Sequence, residues 1–203
     1  MGINDRVITV FGDSIAYGMG GTEKCGWVNR LRLALENPEY QVVVHNLSIP
    51  GQTTIDLIAR FESELRVRCD SSKTNVVAFA VGINDSSTFG SIQRVPYNLF
   101  TMNLKKLIHL AQKYTDKITF IGLTPVDETR AEEVKSRERI RYSNDKIRQY
   151  DNGIRAVCEE TGNHYIPLFD TLLSADLHDG LHPNSLGHHK ICDRIVNARK
   201  YTR

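Results

Sequence analysis

The sequence has no long apolar run. Its longest uninterrupted stretch, Val76 to Val81, is six residues, far short of the ~18 that a membrane-spanning helix needs. The opening Met1-Gly2-Ile3-Asn4-Asp5-Arg6 carries no apolar h-region, so no cleaved secretory signal and no stable membrane insertion are expected, and a cytoplasmic location is. Cysteine is sparse: Cys25, Cys69, Cys158 and Cys192 form no Cys-x-x-Cys pair. That spacing argues against a zinc knuckle or thioredoxin-type site and for small buried thiols in a reducing compartment. A surplus of one charge is missing too. Lys and Arg total 26 against 24 Asp and Glu, a net charge of +2. The corresponding pI of 8.3 falls below the value of about 9 expected of a nucleic-acid-binding domain, so no nucleic-acid partner is expected. The short basic end Arg199-Lys200-Tyr201-Thr202-Arg203 does not alter that. Internal repeats, low-complexity segments and linkers are likewise absent, and 203 residues suit one domain, residues 1–203.

What is present is ordinary globular composition, 40% hydrophobic and 25% charged, enough for a substantial core. Apolar, β-branched runs at Arg6–Phe11, Gln41–His45, Asn75–Val81, Ile118–Gly122 and His164–Pro167 read as buried strands. Between them lie helical patterns. Trp27, Val28, Leu31, Ala34 and Leu35 share one face, and Asn37-Pro38 ends that helix. Thr53 and Thr54 offer caps for a helix through Ile55, Leu57, Ile58, Phe61 and Leu65. Pro96 opens a third, with Leu99, Met102, Leu104, Leu107, Ile108 and Ala111 as its stripe. A charged stretch from Asp127 leads into a long helix through Ile140, Ile147, Ile154 and Val157, ending near Gly162, and a last helix runs from about Ser185 to Ala198. Strands alternating with helices predict an α/β fold: a parallel sheet of about five strands with helices on both faces, three layers in all.

In such sheets ligands bind beyond the carboxyl ends of the strands, so the residues just after each strand matter most. Gly12-Asp13-Ser14 comes after the first, Asn46 to Thr53 with Gly51 after the second, and Gly82-Ile83-Asn84-Asp85 after the third; Asp179-Gly180-Leu181-His182-Pro183 precedes the last helix. Each alone is a common turn composition. Together, and in this order, they resemble the four signature blocks of the SGNH hydrolases, the GDSL esterase/lipase family. The resemblance runs from Gly12 to His182 and departs from the name motif only at Ile15, where the family has Leu. It implies a flavodoxin-like three-layer fold and hydrolysis of carboxylic esters or related acyl groups. No cofactor is expected for that chemistry.

The residue types fit acyl transfer on chemical grounds. That reaction needs a nucleophile, a base, a group that orients the base, and donors for the developing oxyanion. Ser14 is the candidate nucleophile and His182 the candidate base. Asp179, three residues earlier, is placed to hold the imidazole N–H. The candidate oxyanion donors are the backbone N–H groups of Ser14 and Gly51 and the Asn84 carboxamide, the roles the family resemblance also gives them. Gly12-Asp13-Ser14-Ile15-Ala16 is not Gly-x-Ser-x-Gly, so a nucleophile elbow is not expected.

Neighbouring residues have plainer readings. Asp13 reads as a cap beside Ser14. Asp85 reads either as an orienter of Asn84 or as a loop hydrogen-bonder, and Asn46 and Ser48 as shapers of the loop that carries Gly51. His178, His182, His188 and His189 lie close together, but Gly180 and Pro183 oppose a helix there and the Glu of His-Glu-x-x-His is missing, so a metal is not expected. His178 competes with His182 as the base; the Asp179-x-x-His182 spacing favours the latter. Gly18-Met19-Gly20-Gly21, with Glu23 where a nucleotide loop would have its last Gly, reads as a flexible wall of a cleft. Glu128 to Arg148 reads as a solvated helix face, and Thr124–Arg130 as a candidate partial lid. The expected partner is a small ester with a short acyl chain. Longer acyl chains, as in a lysophospholipase or thioesterase, and a non-catalytic flavodoxin-like binding protein are the alternatives. Oligomeric state is not legible.

Overall fold

The computed structural model describes residues 5–22, 25–35, 39, 41–135 and 139–200. Readings placed on Met1–Asn4, Glu23, Asn37-Pro38 and Tyr201–Arg203 lie outside the described residues. In chain order the elements begin with β1 (Arg6–Gly12), α1 (Ser14–Tyr17), α2 (Trp27–Leu35), β2 (Val42–Asn46), α3 (Thr54–Arg66) and β3 (Thr74–Ala80). Then come β4 (Thr88–Phe89), β5 (Ile92–Gln93), α4 (Tyr97–Ala111), β6 (Ile118–Ile121), α5 (Glu128–Lys135) and β7 (Ile140–Arg141). The chain continues through α6 (Asn144–Thr161), β8 (His164–Ile166), a short 3₁₀ turn (Ser174–Asp176) and α7 (Ser185–Lys200).

The expected parallel sheet is there, in the order β2-β1-β3-β6-β8. Its register sets Val10 level with Asn46 on one side and Ala78 on the other. Numbering these five strands along the chain gives 2-1-3-4-5, the flavodoxin-like order, in which the direction of winding switches between β1 and β3. Helix α2 packs against α7, α3 against α4, and α4 against α6, giving the two flanking layers of a three-layer α/β/α fold. Between sheet and helices Phe11, Phe61, Phe79 and Phe120 form a chain of rings, with Phe11–Phe61, Phe61–Phe79 and Phe79–Phe120 centroids 4.8, 5.3 and 4.9 Å apart. All four rings are buried. No helix among the described residues is long and apolar enough to cross a membrane. Cys25, Cys69, Cys158 and Cys192 all carry free thiols.

One expectation fails. The charged stretch from Asp127 and the long helix read through Ile140 to near Gly162 are two helices separated by a strand. Arg139 sits at φ 58°, left-handed backbone that no helix continues through. Ile140 and Arg141 then pair antiparallel with Phe89 and Thr88, and Ser143 in extended conformation caps a fresh start by accepting from the Lys146 N–H. From there Ile147, Ile154 and Val157 are buried on α6 as expected, and Gly162 caps its end. The result is a small second sheet, β5-β4-β7.

Candidate active site

Ser14 begins α1 immediately beyond β1, at the point where the sheet changes its winding direction. Asp13 sets that start: in extended backbone it accepts from the Ile15 N–H at 3.0 Å and caps the helix, as read from the sequence. The loop after β2 runs alongside. Leu47 N–H donates to Val10 O and Ile49 N–H to Gly12 O, while the Asn46 amide donates to Ala16 O and its carbonyl accepts from Ser48 N–H. Asn46 is therefore the shaper of this loop. The loop closes in a turn of the type with Pro at its second position and Gly at its third, Gln52 N–H returning to Ile49 O at 3.3 Å. Gly51 takes φ +79° there, and a Cβ on it would meet nothing within 4 Å, so its backbone faces open space. Arg60 of α3 braces the turn from below, bonding Leu47 O and Gln52 Oε1.

The segment before α7 brings the candidate base. Asp179 Oδ1 accepts from the backbone N–H of Leu181 and His182, and Asp179 Oδ2 lies 2.7 Å from His182 Nδ1. One carboxylate thus folds the turn and grips the ring, which is why a spacing of three residues works. His178 N–H closes the same turn onto His182 O at 2.7 Å. Gly180, at φ +86°, presses against α5 so closely that a Cβ would lie 2.5 Å from Ala131 N. His182 Nε2 is 2.9 Å from Ser14 Oγ, with both residues buried. His178 is exposed, and its side chain takes no part in this chain of bonds. An ionised carboxylate only accepts, so Nδ1 carries the proton and the Nε2 lone pair is left for the Ser14 hydroxyl.

Burial pushes the Asp179 carboxyl up, but the bonds from the His182 ring and backbone and the histidine's charge outweigh it and hold Asp179 well below the usual carboxylate range. Asp13 goes the other way: burial pushes it up to about 7. Asp85 is raised to about 6 by burial, against the hydrogen bonds from Thr54. Of the two readings of Asp85, the loop one fits: it accepts from the Thr54 backbone and hydroxyl and pins the start of α3. Asn84 is oriented by other groups. Its amide nitrogen donates to Gln52 O at 3.0 Å, and its oxygen accepts from the Tyr142 hydroxyl at 2.9 Å and Arg94 Nη1 at 3.3 Å. Arg94 also donates to Gly51 O at 3.0 Å, tying together the two loops that bear Gly51 and Asn84.

His188 and His189 are engaged elsewhere. His188 Nδ1 accepts from the Trp27 N–H and Nε2 donates to Met19 O; burial lowers its pKa. His189 pairs with Asp193 at 3.3 Å on the surface. Among the described residues no group of three His, Cys, Asp or Glu is placed to hold a metal ion. The Gly18–Gly21 loop, read as a flexible wall, is instead tied down by His188 and by a Thr22–Ser185 bond. The Thr124–Arg130 segment clasps the base-bearing turn: Asp127 N–H donates to Gly180 O, and the Arg130 guanidinium to Ser174 O, Leu177 O and His178 O.

Residues 10–190 match the profile of the GDSL-like Lipase/Acylhydrolase family. The chain belongs to this family. It is similar to the GDSL esterase/lipase CPRD49 of Arabidopsis thaliana, 29% identical over 140 residues that make up 62% of this chain and 54% of that protein. The chain therefore spans about half the length of that curated relative. Among solved structures it is similar to a member of the lipolytic protein G-D-S-L family from Veillonella parvula, with 21% identity, 95% of this chain and 97% of that one covered, and a TM-score of 0.73. It is also similar to the lipase/acylhydrolase from Enterococcus faecalis, at 25% identity, with 97% and 96% covered and a TM-score of 0.72. Within this GDSL frame, sequence reasoning overlooked Arg94 and Tyr142 and read Arg130 only as the end of a candidate lid. Tyr142 was hidden inside the stretch read as continuous helix, although Ser143 next to it is a cap residue that marks a helix start.

Proposed function

We propose that this GDSL-family chain is a serine esterase that cleaves carboxylic esters through an acyl-enzyme. The single observation that carries the reading is the buried hydrogen-bonded line Asp179–His182–Ser14, with links of 2.7 and 2.9 Å. In this mechanism the Ser14 hydroxyl gives its proton to His182 Nε2 as the oxygen attacks the ester carbonyl. Asp179 fixes the tautomer and steadies the imidazolium. The N–H groups of Ser14 and Gly51 and the Asn84 amide receive the oxyanion. His182 then returns the proton to the leaving alcohol, and water repeats the sequence to release the acid. None of these steps calls on a cofactor.

For the substrate we propose a short acyl group, on the low aromatic content of the sequence, 8%. The test uses aryl esters of two to twelve acyl carbons and a phosphonate that captures activated serines. Wild-type chain should label at Ser14 and turn over the shortest esters fastest, and Ser14→Ala should do neither. Full activity in Ser14→Ala would end the mechanism, and absence of labelling in wild type would favour a binding protein. A preference for the longest chains would keep the mechanism and overturn the substrate class.

A further inference from the structure

The Asn84 carboxamide has two ends of nearly the same shape and opposite polarity. As an oxyanion donor it works only with its N–H end toward the substrate; turned over, it would present an oxygen to a developing negative charge. We propose that Tyr142 and Arg94 are the positioning residues that set this polarity and strengthen the donor. The proposal rests on the reading of Asn84 as an oxyanion donor.

Three contacts surround the amide. Its oxygen faces the Tyr142 hydroxyl at 2.9 Å and Arg94 Nη1 at 3.3 Å, and its nitrogen faces Gln52 O at 3.0 Å. The second N–H has no partner among the described residues and is the one left for a ligand. A tyrosine hydroxyl can accept as well as donate, so Tyr142 alone would tolerate a flip. Arg94 has no acceptor, and the Gln52 carbonyl has no donor. Turning Asn84 over would set nitrogen against guanidinium and oxygen against carbonyl, two contacts of like polarity in a site where Asn84 is buried. The same donors draw electron density toward the amide oxygen. That makes the remaining N–H more positive, and hydrogen bonds in series reinforce one another in this way.

The two residues arrive by separate routes. Tyr142 comes directly after β7, so the small sheet pairing β7 with β4 carries it toward the loop after β3. Arg94 comes directly after β5 of the same sheet and reaches across to Gly51 O. One guanidinium thereby fixes the relative position of two candidate oxyanion donors. The small sheet, which is separate from the parallel sheet, leads into both positioning groups.

The experiment is a mutant cycle on the full chain, with kcat and KM for a short-chain aryl ester and the rate of phosphonate capture. Asn84→Ala should lower kcat about 10²–10³-fold. Tyr142→Phe should lower kcat and the capture rate about tenfold, with KM within about twofold, because the lost effect belongs to the transition state. Arg94→Gln should lose as much or more, and Arg94→Lys should recover part of it. In the Asn84→Ala background Tyr142→Phe should cost nothing further. Wild-type rates in Tyr142→Phe and Arg94→Gln, or an equal loss with and without Asn84, would overturn the proposal. If Tyr142→Phe fails to fold, Arg94→Gln at the half-exposed rim decides by the same comparison. A near-normal Asn84→Ala would instead overturn the underlying donor reading, so the two failures are separate results.

Discussion

Asp13 is the most unusual group near the site: a carboxyl buried against Ser14, capping α1, with its pKa pushed up to about 7 by burial. In the unfolded chain it titrates near 3.8. Between those values the folded state holds the proton that the unfolded state has released, so Asp13 lowers stability as pH rises from about 4 to about 7 and changes nothing above that. Asn caps helices as well as Asp and cannot ionise. Asp13→Asn should therefore gain stability relative to wild type as pH rises from 5 to 8, read from urea midpoints at each pH. A constant difference would contradict the assignment. Asp179 has the opposite sign: its carboxylate stays ionised throughout the working range. Asp179→Asn should leave the fold in place but lower kcat about 10³–10⁴-fold, because the histidine tautomer is no longer set. Both carboxylates were legible in the sequence, one as cap and one as orienter, because each acts on groups within three residues of itself.

Regular elements were legible where periodicity was strong. The five parallel strands are near-continuous apolar runs, and α3 shows its capping box at Thr53 and Asp56. The two-residue strands β4, β5 and β7 carry no period to detect, and the dense charge of residues 127–148 masked the break before Ser143. For that reason Arg94 and Tyr142 escaped notice while Asn84, at the end of a strong strand, did not. The same stretch, read as one solvated helix face, hid the end of α5, a helix whose first turn lies against the turn that bears His182. Arg130 donates to three carbonyls of residues 174–178 and holds His182 in place from outside. Arg130→Ala should reduce kcat at least tenfold through misplacement of the base while phosphonate still labels Ser14, slowly. Steady-state rates and capture rates measured on the same preparation check this.

The parallel sheet and its chain of phenylalanine rings carry the site without touching the chemistry. Phe79 lies at the middle of that chain, fully buried between Phe61 and Phe120. Phe79→Ala should cost about 3–5 kcal/mol of stability, with kcat of the folded fraction unchanged; chemical denaturation alongside an assay at low temperature separates the two. Ser14 and His182 are 168 residues apart in the chain yet 2.9 Å apart in space, and α7, which follows His182, packs on α2, which follows Ser14. Their meeting closes a loop that holds every strand of the central sheet except β1, which leads directly into Ser14. Under the proposed mechanism ester cleavage is a clock on assembly: in refolding, the return of turnover should trail the return of helical signal, because no partly assembled sheet can bring this serine to its histidine.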